Sequence, residues 1–136
     1  MSRRPPCIFV AAAVVVLLSG GSAHADTWPA DSRSTEGAWA RCEVKTSKAA
    51  VHDDVASISC SLRDTLKDNR GVYVWYQIDG YVPQHLTTGK GCCDAHSTSG
   101  HFTNHDGSIS TIRWRVCRAI PWWPDNCSST VTKYPR

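Results

Sequence analysis

From residue 38 onward, no stretch of ten or more residues in this 136-residue chain spaces its apolar side chains as a helix would, and no segment there is repeated or of low complexity. The first absence excludes helix bundles and alternating strand–helix folds, because both need amphipathic helices to cover a core. Excess charge is also missing. Fifteen Lys and Arg face twelve Asp and Glu, a net +3. Arg3 and Arg4 belong to a leader described below, and without them the balance is +1, too weak to imply nucleic acid or an anionic membrane as partner. Beyond residue 25 no apolar run approaches the ~20 residues a transmembrane helix needs. There is no G-x-S-x-G elbow for a serine hydrolase. His52-Asp53-Asp54 and His105-Asp106 are neighbours in sequence, and such neighbours usually diverge in a strand or loop. A domain this small leaves little room for a deep cleft. No enzyme activity and no cofactor are expected.

What is present begins with a leader. Arg3 and Arg4 precede an apolar stretch from Ile8 to Leu18, and Ala23-His24-Ala25 fits the small-x-small pattern read by signal peptidase. Residues 1–25 are therefore expected to be an export signal, and the product secreted and extracellular, with no membrane attachment after cleavage. Removing 25 from 136 residues leaves 111, one domain with a modest core. Cys7 leaves with the leader. Cys42, Cys60, Cys92, Cys93, Cys117 and Cys127 remain, an even number in a small exported chain, which reads as a disulfide framework. Six cysteines permit fifteen pairings. Spacing favours Cys117 with Cys127 across a short proline-bearing loop, and Cys42 with Cys60 across the first two strands. Cys92 and Cys93 either bond to each other or tie their loop to two different strands.

Residues 26–37 (DTWPADSRSTEG) lack periodicity and are expected to be an extended or disordered arm. From residue 38 to 136 the pattern is that of short strands. Val55 to Leu62 alternates strictly, with Ile58, Cys60 and Leu62 on one face and Ser57, Ser59 and Ser61 on the other. Gly71 to Ile78 is rich in β-branched and aromatic residues. Asp79-Gly80 follows as a type I′ hairpin signal, with a return strand over Tyr81 to Leu86 that Pro83 confines to an edge or bulge. Thr87 to Ser108 reads as a long polar loop. Ile109 to Ile120 reads as a strand with Ile112, Trp114 and Val116 in the core, and Ser128 to Lys133 as a last edge strand. The expected fold is all-β, a small disulfide-stapled sandwich of about six or seven short antiparallel strands behind an N-terminal arm.

Three groups of residues stand out. His96, His101 and His105, with Cys92, Cys93, Asp94 and Asp106, have metal-binding side chains, but their spacing matches no closed zinc site and an oxidising compartment competes for the thiols. A solvated loop is the simpler account, and no metal is expected. Trp122 and Trp123, between Pro121 and Pro124, suit an interface or a sugar-stacking platform, or else one of them caps the core. Tyr73, Trp75, Arg113 and Arg115 face away from the expected core. If their strands are neighbours, guanidinium groups stack on rings, giving either a binding patch or a self-contained stack.

CSLRDTLKDNRGVYVWYQIDGY (60–81), STIRWRVC (110–117) and WPDNCS (123–128) together resemble a group of small secreted proteins of filamentous actinobacteria. Some of these resemble the adaptor subunit of umbrella toxin particles, secreted assemblies that inhibit competing bacteria. The resemblance implies a non-catalytic adaptor that joins a lectin-like subunit to a repeat-containing toxin subunit. It implies that residues 26–37 dock into the lectin through Trp28 and Pro29, while the β-domain grips the repeat subunit. The rival expectations are a carbohydrate-binding module using Trp122 and Trp123, and a secreted hydrolase inhibitor presenting the loop between Cys117 and Cys127.

Overall fold

The computed structural model describes residues 25–50, 53–89 and 91–135. The described residues form nine strands and no helix. They are β1 (Ala25–Thr35), β2 (Ala38–Ala50), β3 (Asp53–Asp64), β4 (Val72–Ile78), β5 (Gln84–Leu86), β6 (Ala95–Asn104), β7 (Ile112–Arg118), β8 (Asn126–Cys127) and β9 (Val131–Lys133). Two antiparallel sheets result. The larger has the order β1-β2-β3-β6. The smaller has the order β5-β4-β7-β8, with β9 also on β7. β8 takes the Cys117 end of β7 and β9 the Ile112 end, so two short strands share one edge.

Period-two patterning places the core as expected. Ile58, Cys60 and Leu62 of β3 are buried, as are Val74, Tyr76 and Ile78 of β4 and Ile112, Trp114 and Val116 of β7. Ala38, Ala40, Cys42 and Val44 of β2 complete the inner layer. The small alanines there leave room for Trp114, which is wholly buried. Cys42 lies directly opposite Cys60 in the β2–β3 register and is bonded to it. Cys117 is bonded to Cys127 and Cys92 to Cys93.

Four expectations change. Residues 26–35 are extended but not a loose arm, because β1 pairs along β2 and its inward side chains are used. Trp28 packs against the core, Asp31 pairs with Lys133 at 2.5 Å, and the Thr35 hydroxyl donates to Asn126 at 2.8 Å. The sandwich therefore starts at β1 rather than at residue 38, and the strand count exceeds six or seven. The expected leader falls on residues 1–24, outside the described residues, apart from Ala25, which opens β1. Nearly half of the expected loop from Thr87 to Ser108 is strand β6, which adds to the edge of β3. Ala95, Gly100 and Asn104 are of types depleted in strands and the segment has no apolar alternation, so tertiary pairing decided its conformation.

The turn after β4 also differs. Tyr81 donates its amide to Ile78 across Asp79-Gly80, at 3.0 Å. Only Asp79 takes a left-handed φ, 48°, whereas type I′ needs it at both central positions. The Asp79 carboxylate accepts from the Ser110 amide and hydroxyl and from the Thr111 amide, at 2.9, 2.7 and 2.7 Å. That link turns the chain toward the start of β7, and the return strand shortens to β5.

Candidate functional site: the outer face of the smaller sheet

Alternation along β4 sends Tyr73, Trp75 and Gln77 away from the core. The β4–β7 register then sets Arg115 opposite Trp75 and Arg113 opposite Gln77, while β5 brings His85 opposite Trp75. The Arg115 guanidinium lies 4.7 Å from the Trp75 ring centroid. The Tyr73 and His85 rings stack at 4.4 Å. The structure thus brings together Tyr73, Trp75, Arg113 and Arg115 as the sequence suggests, and adds His85. Arg113 is exposed, whereas Arg115 is half-buried by its stack.

Among the strands, acidic side chains occur only in the larger sheet, which carries cations as well. The strands of the smaller sheet contain no Asp or Glu. Their cations are Arg113, Arg115, Arg118 and Lys133. Arg118 is buried on the inner side against Asp68, and Lys133 is held by Asp31. Arg113 and Arg115 are left on the outer face.

The loop after β7 is anchored at the Tyr73 end of this face. The Cys117–Cys127 bond closes it. Asp125, within the loop, ties it down by accepting from the Tyr73 hydroxyl and from the Ile120 amide, the latter at 3.1 Å. Burial and the Asp125 carboxylate push the Tyr73 hydroxyl up to about 12. The same hydrogen bond, with that from Ile120, holds the Asp125 carboxyl below its ordinary value. At the tip, the Trp123 amide donates to the Ile120 carbonyl at 3.3 Å. Pro121 precedes Trp122, whose φ is 67°. Proline first and a left-handed residue second is the pattern of a type II turn, where the second place normally goes to glycine. Here a tryptophan occupies it. Trp122 is 99% exposed and Trp123 76%, so neither caps the core.

Other sequence candidates lie elsewhere. Trp28 and Pro29 belong to β1, in the other sheet, with Trp28 packed inward and Pro29 exposed at a bulge in the β1–β2 register. They are not part of this face, and Trp28 is not a free anchor. His96 and His101 are five residues apart on β6. His96 registers with buried Leu62 and His101 with outward Ser57, so the two imidazoles are on opposite faces. His105 instead meets Asp53 at 3.1 Å. Among the described residues no group of three or more His, Cys, Asp or Glu side chains is placed to hold a metal ion.

Sequence reasoning missed His85 and Asp125. His85 lies in a stretch whose strand register depends on the Asp79 turn. For Asp125 the only signal is its place inside the loop bounded by Cys117 and Cys127. No protein-family model, curated protein or solved structure matches the chain.

Proposed function

We propose that this chain is a non-catalytic, secreted protein-binding module, an adaptor that engages a partner through the Trp122–Trp123 loop and the adjoining outer face of the smaller sheet. One observation carries the reading. Trp122 is at once almost fully exposed and in a left-handed backbone conformation. For a bulky residue that conformation costs about 1–2 kcal/mol, and within the chain the exposed indole gains nothing in return. Strain of this kind collects at sites used for binding. The loop is also rigid, being closed by a disulfide and seated on Asp125, so its ordering entropy is largely spent before a partner arrives.

The magnitudes suit a hot spot. Covering two indoles removes on the order of 300 Å² or more of surface from water, several kcal/mol at about 25 cal/mol per Å². The partners implied by the resemblance to umbrella toxin adaptors are a lectin-like subunit and a repeat-containing toxin subunit, and these are the first to test. A docking role for residues 26–37 is not included, because β1 holds that segment in the sheet.

The experiment is capture from culture supernatant at native abundance, using the intact chain and the Trp122→Ala/Trp123→Ala variant. The intact chain is expected to retain a stoichiometric protein partner, and the variant to lose it by about 100-fold in affinity. Recovery of the chain alone, or equal capture by the variant, would refute the reading. A second reading rests on the same exposed indoles, which also suit stacking on sugar rings. A polysaccharide pull-down that depends on Trp122 and Trp123, with no protein captured, would select it.

A further inference from the structure

We infer that the outer face of the smaller sheet selects an acidic, extended segment of its partner, one with carboxylates two residues apart. This rests on the protein-binding reading above and specifies the chemistry of that partner. Arg113 and Arg115 are two residues apart on β7 and share a face, so their Cα atoms are roughly 6.5–7 Å apart along the strand. Side chains at alternate positions of an extended peptide have the same spacing. A peptide lying along β7 would thus present one carboxylate to each guanidinium.

The two arginines are equipped differently. Arg115 is already oriented by the Trp75 ring, so fixing it on a carboxylate costs little further side-chain entropy. Arg113 is exposed and sits opposite Gln77, a neutral neighbour whose amide nitrogen already donates to the Tyr81 carbonyl at 2.9 Å, so the Arg113 guanidinium has no acidic competitor on that side. Competition from within the chain is weak. No strand of this sheet carries an acid, and the carboxylate of Asp125 is committed to Tyr73 and Ile120. Within this sheet, the cations with acidic partners, Arg118 and Lys133, are the ones used to hold the fold. Electrostatic complementarity of this kind sets specificity and association rate more than raw affinity.

The test uses the intact chain and three probes at low salt: an alternating Glu–Thr peptide, its Gln–Thr counterpart and a heparin oligosaccharide. NMR follows the Trp75 indole N–H and the arginine Nε–H signals. The Glu–Thr peptide is expected to shift both sets and the Gln–Thr peptide neither, with the shift lost at high salt. Arg113→Gln, at an exposed position, should weaken binding about threefold, and Arg113→Glu with Arg115→Glu at least about tenfold. Equal shifts by the two peptides would overturn the inference. So would movement of these signals by heparin alone, which would assign the face to a sulfated glycan. If Trp122→Ala/Trp123→Ala abolishes partner capture while Arg113→Glu/Arg115→Glu leaves it intact, the acidic segment is refuted and the adaptor reading stands.

Discussion

Replacement of Gly37 by alanine tests how the turn between the first two strands is locked to the end of β7. Gly37 ends the Glu36-Gly37 turn with φ 85°, a region that costs other residues about 1–2 kcal/mol. An added Cβ would also lie 2.5 Å from Arg118 Cδ, 2.7 Å from its Nε and 3.1 Å from Leu66 Cδ1. Arg118 cannot simply swing aside, since its side chain is 8% exposed and its guanidinium is held by Asp68. Weakening that charged hydrogen bond adds to the loss. The backbone conformation alone accounts for about 1–2 kcal/mol, and the clash carries the total above that. A domain of roughly 110 residues unfolds with an entropy of about 0.23 kcal/mol/K, so the midpoint should fall by about 9 °C or more. Thermal and urea unfolding monitored by circular dichroism measure it. Gly80→Ala is the control: nothing lies within 4 Å of its added Cβ and its φ is ordinary, so stability should stay level or rise slightly. Gly37→Asn separates the causes, because asparagine tolerates the left-handed region but retains the clash. A loss for Gly37→Ala no larger than the ~1–2 kcal/mol of the backbone alone, or a Gly37→Asn variant as stable as the unaltered chain, would refute the claim that Arg118 is pinned.

Three further outcomes are expected. Joint replacement of Cys117 and Cys127 by alanine opens a bridge with a sequence separation of 10 and should cost about 2.5–3 kcal/mol; partner capture should fall as well, and an unchanged affinity would show that loop rigidity is unimportant. Trp122→Gly should raise stability by about 1 kcal/mol by relieving the left-handed φ, while weakening partner capture as strongly as Trp122→Ala; a fall in stability would show that the indole supports the fold. Tyr73 should ionise near 12, not near 10, in an ultraviolet titration. The folded chain keeps this proton after the unfolded chain has lost it, so the contribution of Tyr73 to stability is complete below pH 10 and fades as pH rises toward 12. Tyr73→Phe should remove that part of the alkaline dependence and let the Asp125 carboxyl rise.

The sequence alone determined the fold class and most of the core, because both depend on local alternation. Ile58, Cys60 and Leu62 had to share a face in any strand they joined, as did Ile112, Trp114 and Val116, and burial of one face fixed their direction. The same alternation sent Tyr73, Trp75, Arg113 and Arg115 outward. Their meeting on one face was a matter of which strands are neighbours, and no local pattern contains that. Tertiary structure also decided the segments whose own preference is weak. Residues 95–104 became a strand because β3 offered an unpaired edge, and residues 26–35 because β2 offered the other. Trp28 is half-buried against the core where the family resemblance implied a docking anchor, since an indole beside a forming sandwich is better removed from water. The exposure of Trp122 runs the other way. Its loop is too short and too tightly held at Cys117, Cys127 and Asp125 to fold an indole back onto the sheet, and that geometry exists only in the assembled domain.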